Sequence, residues 1–165
     1  MAQTPHQKID ILNELAWALV TAGSERGYDL SREAYDLIMH YHPEDEAALI
    51  KTHIIAGIHH HRNARYGEAI QFTQRAYQLG EKCHDKQAML QACVLFANLY
   101  YEMGEYNEMI KWSLRQLSLA RETGNRPREA GAYLNLGGTY HIIGDKLQAL
   151  DVYEKSITIY IELND

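Results

Sequence analysis

Tyr133-Leu-Asn-Leu-Gly137-Gly-Thr-Tyr140, followed by Gly144-Asp145, Ala149 and Tyr153, decides the fold of this chain. Ala130, Tyr133, Leu134, Leu136, Gly137 and Tyr140 place apolar or small groups at helical spacing. Gly144-Asp145 ends that helix, because glycine accepts the left-handed conformation of a helix C-terminus. Ala149, Leu150, Tyr153, Ile157 and Tyr160 then predict the buried stripe of a second helix. The two segments together make a helical hairpin.

The hairpin recurs upstream. Lys146-Leu-Gln-Ala149 aligns with Tyr106-Asn-Glu-Met109 and Tyr66-Gly-Glu-Ala69, 40 residues apart each time. The turns Ala64-Arg65, Gly104-Glu105 and Gly144-Asp145 share that period. Phe96, Ala97, Tyr100, Met109 and Ile110 carry the middle unit, and Ala56, Gly57, His60, Ile70 and Ala76 the one before. Gly57, Ala97 and Gly137 fall at one equivalent position, Ala69 and Ala149 at another. Small side chains there let helices approach closely. Residues 7–42 read as a degenerate leading hairpin, with Leu12, Leu15, Ala16 and Leu19 on one stripe and Leu30, Ala34, Leu37 and Ile38 on the next. Gly23-Ser24-Glu25 is its turn, with Ser24 as expected N-cap. His42-Pro43-Glu44 ends it, since proline starts a helix more easily than it continues one. One hairpin cannot bury both faces, whereas stacked hairpins bury a continuous core. The expectation is an all-α domain over 1–165, built of about eight helices in four hairpins at 7–42, 47–84, 87–124 and 127–165.

Tyr133-x2-Leu136-Gly137-x2-Tyr140, Gly144-Asp145, Ala149 and Tyr153 resemble the tetratricopeptide repeat. Tyrosine replaces the pattern's first Trp and last Phe. The 40-residue period exceeds the usual 34 and is similar to the long-period repeats of kinesin light chains and of helical sensor domains in bacterial signalling proteins. The extra residues are expected at Glu81–Asp85 and Glu122–Arg126 and the helix ends beside them. Asn13-Glu-Leu-Ala-Trp17-Ala-Leu19 resembles the start of such sensor arrays. The resemblance implies a right-handed α-solenoid that binds a protein segment.

Composition and motif content exclude several other roles. The formal net charge of −6 disfavours phosphate backbones, and no Lys/Arg run offsets it. Three prolines over the length favour long helices. Met1 to Lys8 has no apolar leader core, and no apolar run is long enough to span a bilayer. Two cysteines, Cys83 and Cys93, make no disulfide framework and fit reduced cytoplasmic thiols. His59-His60-His61 point to different sides of a helix, and no two histidines are four apart. No metal or cofactor is expected. No phosphate loop or nucleophile signature occurs, so no catalysis is expected here, with an output domain such as a cyclase or kinase placed elsewhere in a longer parent.

By position in the repeat, the resemblance assigns a partner groove to the first helix of each hairpin. Lys51, Ile54, Ile58, His61 and Arg62 come from one, Gln91, Val94, Asn98, Tyr101 and Glu102 from the next, and Leu134, Asn135, Gly138 and His141 from the last. The Asn amides suit an extended peptide backbone. The carboxylate clamp that reads chaperone tails is not met: its places hold Ile54 and Ile58, then Leu95, then Gly131 and Asn135. The last helix stays apolar through Ile159-Tyr160-Ile161-Glu162-Leu163. That suggests a fragment of a longer protein, or self-association through Leu150, Tyr153, Ile157, Tyr160 and Ile161 to give a homodimer.

Overall fold

The computed structural model describes residues 4–164, so residues 1–3 and 165 of the expected domain lie outside it. The described residues form eight helices and no strand: α1 (Pro5–Thr21), α2 (Arg26–Tyr41), α3 (Glu46–Arg62), α4 (Tyr66–Lys82), α5 (Lys86–Glu102), α6 (Tyr106–Glu122), α7 (Arg126–Ile142) and α8 (Lys146–Asn164). This is the all-α, solenoid-type class of eight helices that the repeat predicts. The chain divides into two compact units, 1–88 and 89–165.

The turns explain the regularity. Gly23, Ala64, His84, Gly104, Gly124 and Gly144 all have positive φ. At each, the left-handed residue donates to the carbonyl three back, and the next residue to the carbonyl five back. Gly144 N–H bonds His141 O at 3.2 Å and Asp145 N–H bonds Tyr140 O at 2.8 Å. Ala64 to His61 O and Arg65 to His60 O repeat this at 3.0 and 2.9 Å. This bond pair closes a helix and reverses the chain. Only the His42–Asp45 link, with Pro43, is built differently.

Side-chain caps start the helices that open each hairpin. Thr4 makes a reciprocal capping box with Gln7 ahead of Pro5. Asp45, Asp85 and Asn125 then accept from the backbone N–H groups of Ala48, Ala88 and Arg128 at 3.0, 3.0 and 3.2 Å. Ser24 does not cap α2. Its N–H closes α1 on Leu19 O, and Glu25 takes the cap position without a side-chain bond. The extra length of the period lies in the helices themselves, since the links at 83–85 and 123–125 are three residues long.

In the first unit, Ile9, Ile38 and Ala48 form one cluster, and Ala16, Val20 and Ile55 another beside Trp17 and Ile58. Gly27 lets α2 touch the α1 backbone, because a Cβ there would lie 2.5 Å from Val20 N. Ser31 Oγ donates to Thr52 O, tying α2 to α3. In the second unit, Leu117, Ala130, Ala132, Tyr133, Leu136, Val152 and Ile159 form the core, and Phe96 stacks on Trp112 at 4.1 Å. Gly137 seats the Tyr153 ring, 2.6 Å from where a Cβ would stand. Glu129 is buried between Arg121 and Arg126, at 3.0 and 2.7 Å. Burial pushes its carboxyl up, but the bonds from the two guanidinium groups outweigh that and hold it below the usual range.

One stripe departs from expectation. Ala149, Val152, Ser156 and Ile159 are the buried positions of α8, whereas Leu150, Ile157 and Tyr160 are exposed. Two counterparts 40 residues earlier, Ile110 and Leu117, pack against α7. No described helix covers the equivalent positions on α8.

The turn geometry predicts opposite outcomes at two equivalent sites. Gly144 has open space where a methyl group would stand, so Gly144→Ala meets only backbone strain. It should lower unfolding free energy by about 1 kcal/mol. Ala64→Gly should leave it unchanged or raise it by up to about 1 kcal/mol. Urea denaturation of both variants checks the pair.

Candidate functional site

The opening helices carry the expected partner surface, and their side chains divide by task. On α3, Ile54 does not reach the surface: it is buried with Ile50, Ala76 and Ala88. Lys51 is half-buried and paired with Glu14 of α1. Arg62 donates to Val20 O, and to Thr21 O at 2.9 Å. It thereby supplies the positive group that the last turn of α1 lacks. Ile58 packs against the Val20 cluster, and His61 is half-buried. Much of this helix face is therefore committed to holding α1.

The α5 face differs. Gln91, Asn98, Tyr101 and Glu102 are exposed, with Val94 half-buried between them. Their spacing places them along one side of the helix. Tyr101 is 50% exposed, in a helix whose other aromatic groups, Phe96 and Tyr100, are buried or half-buried. On α7, Leu134 and His141 are exposed, and Asn135 and Gly138 are half-buried. On α8, Leu150, Ile157, Tyr160 and Ile161 are exposed, whereas Tyr153 is half-buried against Gly137.

Sequence reasoning missed the chemistry on the opposite side of α3. His53, His59 and His60 are buried there. His59 stacks on Tyr28 at 4.0 Å, and His60 stacks on Phe72 at 5.2 Å. Tyr28 Oη lies 3.3 Å from His60 Nε2. The available signal is the seven-residue spacing of His53 and His60, which puts both on one helix face. Among the described residues, no three His, Cys, Asp or Glu side chains gather as metal ligands. Cys83 is exposed and Cys93 buried, and no described helix is long and apolar enough to cross a membrane.

Burial sets the protonation of this cluster. Loss of hydration lowers the His53 pKa to about 4, with the nearby Arg75 charge adding to the effect. Burial also lowers His59 and His60, against the raising influence of Glu25 and Glu68 respectively.

Known proteins agree with this geometry. Residues 90–162 match the tetratricopeptide repeat family, which covers nearly all of the second unit. The fold is similar to the crystal structure of aspartyl phosphate phosphatase F from Bacillus subtilis, with a TM-score of 0.92 and 17% identity over 99% of this chain. This chain spans 43% of that one's length. In all, 27 chains of solved structures match, whereas no curated protein sequence does. The repeat read from Tyr133 to Tyr153 lies within the segment that matches the tetratricopeptide repeat.

The histidines predict an acid-sensitive fold. Below the unfolded-state pKa near 6.5, the unfolded chain takes up protons that native His53 refuses. Stability is therefore full above that pH and falls as pH drops from there toward about 4. The expected loss is on the order of 2 kcal/mol. His53→Asn should flatten the slope in urea melts taken across this pH window.

Proposed function

We propose that this chain is a protein- or peptide-binding module, serving as the sensory or regulatory region of a larger bacterial signalling protein in the cytoplasm. The exposed α5 side carries this reading. Asn98 offers an amide donor and acceptor to an extended backbone, and Tyr101 offers a ring to a side chain. Both lie within the segment that matches the tetratricopeptide repeat. Leu134, Asn135 and His141 extend the same chemistry to α7. The groove residues of α3 contribute less, because Ile54 is core and Arg62 closes α1. The phosphatase activity in the neighbour's name is not carried over, since the likeness at 17% identity speaks for the fold alone.

Selection of extended peptides from a displayed library against the purified chain tests the reading. Enriched peptides should lose about tenfold or more in affinity for the Asn98→Ala/Tyr101→Ala variant. Peptides indifferent to both changes would remove α5 as the binding surface.

The exposed stripe on α8 favours a second reading, a homodimer. Leu147 is 83% exposed, and Leu150, Ile157 and Ile161 are each 57% or 58% exposed. Charged substitutions Ile157→Lys and Ile161→Glu should convert a dimer into a monomer in light scattering over a concentration series. A wild-type chain that stays monomeric throughout would eliminate this reading.

A further inference from the structure

Within the first unit, α2 and α4 flank an open cavity floored by α3. Its volume is about 300 Å³. A second hollow of about 370 Å³ adjoins it and shares Tyr35, His53 and Arg75. The cavity lies on the side of α3 turned away from Lys51, Ile58 and Arg62, so it is separate from the face of α3 that holds α1. Nothing in the repeat architecture requires it.

Its lining is chemically selective. Tyr35 and Phe72 present rings on either side of His53, each 5.9 Å from the imidazole between centroids. Arg75 lies over the Phe72 ring at 5.6 Å, which orients its planar guanidinium at the rim. Arg32 lines the opposite wall from α2. Among the described residues, neither arginine takes part in an ion pair, and Asp36 is the single carboxylate of the lining. Two unpaired cations thus face one acid, in a chain whose net charge is −6. Positive charge concentrated against the overall sign, beside aromatic rings, is the usual makeup of an anion-directed ligand pocket.

We propose that this cavity binds a small aromatic carboxylate, with the ring between Tyr35 and Phe72 over His53 and the carboxylate held by Arg32 and Arg75. Arginine suits the task because its fork matches both carboxylate oxygens. His53 stays neutral at pH 7, because burial holds its pKa near 4, and so the floor repels neither charge. The volume fits a single-ring ligand at the low end of known pockets. Such a ligand would bridge α2 to α4 within the first unit.

A charge series on one ring tests the assignment: 4-hydroxyphenylacetate, the neutral 4-hydroxyphenylethanol and the cationic tyramine. Each is titrated to about 20 mM, a range that reaches millimolar Kd values, into the full chain, and the ring proton shifts of His53 and Phe72 are followed by NMR. The acid should bind at least about tenfold more tightly than the alcohol, with tyramine weakest. Arg32→Gln and Arg75→Gln should each weaken the acid about tenfold while leaving the alcohol unchanged. Both arginines are exposed, so these variants should keep the wild-type melting temperature. No shift with the acid, equal affinity for acid and alcohol, a preference for tyramine, or acid binding untouched in the double variant would each overturn the proposal.

Discussion

The left-handed residue at the end of six of the helices is the constraint on which the structure depends. Each closes two otherwise unpaired carbonyls and sends the chain back after a link of fixed length. With the link fixed, the two helices of a hairpin meet in a set register. The small residues then fall where helices cross, as Gly27 does against the α1 backbone and Gly137 against Tyr153. A longer or looser turn would rotate the apolar stripe of one helix away from its neighbour. The period of 40 therefore expresses turn geometry as much as hydrophobic pattern.

Polar groups complete what the turns begin. Side chains of adjoining helices bond backbone carbonyls of their neighbours. Arg62 bonds the last carbonyls of α1. Gln116 Nε2 donates to Arg128 O at 3.0 Å, and Ser156 Oγ donates to Ala130 O at 2.9 Å. Glu129, between two arginines, joins α6 to α7. A hydrogen bond to a charged group contributes about 1.5–3 kcal/mol, against about 1 kcal/mol for a neutral one. These contacts add specificity to packing that apolar area alone would leave free to slide.

The fold is legible because its determinants are local. Glycine or a small residue at a turn, and apolar groups at helical spacing, are visible in the order of residues. Ser24 misleads because a serine ahead of a helix looks like a cap, yet Glu25 holds the cap position of α2 and no side-chain oxygen bonds the first turn. The caps at Asp45, Asp85 and Asn125 keep the 40-residue period and can be found from it. The α8 stripe misleads for a different reason. Sequence pattern shows which face is apolar, but burial depends on whether a neighbour is present. The roles of Arg62 and Ile54 are beyond sequence altogether. They follow from which helix sits opposite, and an α3 side chain can line a surface, enter the core or cap another helix without any change in local pattern.

The two sides of α3 show how the repeat separates architecture from recognition. One side is committed to α1 through Lys51, Ile58 and Arg62, so substitution there acts on the fold. The other side, between α2 and α4, buries three histidines and leaves Arg32 and Arg75 without ion pairs among the described residues. Burying neutral imidazoles lowers acid tolerance, and like-charged arginines at one rim repel. Valine or leucine in place of the histidines would meet the packing demand without the first penalty. Where a solenoid could satisfy its core with aliphatic groups and instead collects rings and unpaired cations around an open cavity, the arrangement is better explained by recognition than by stability.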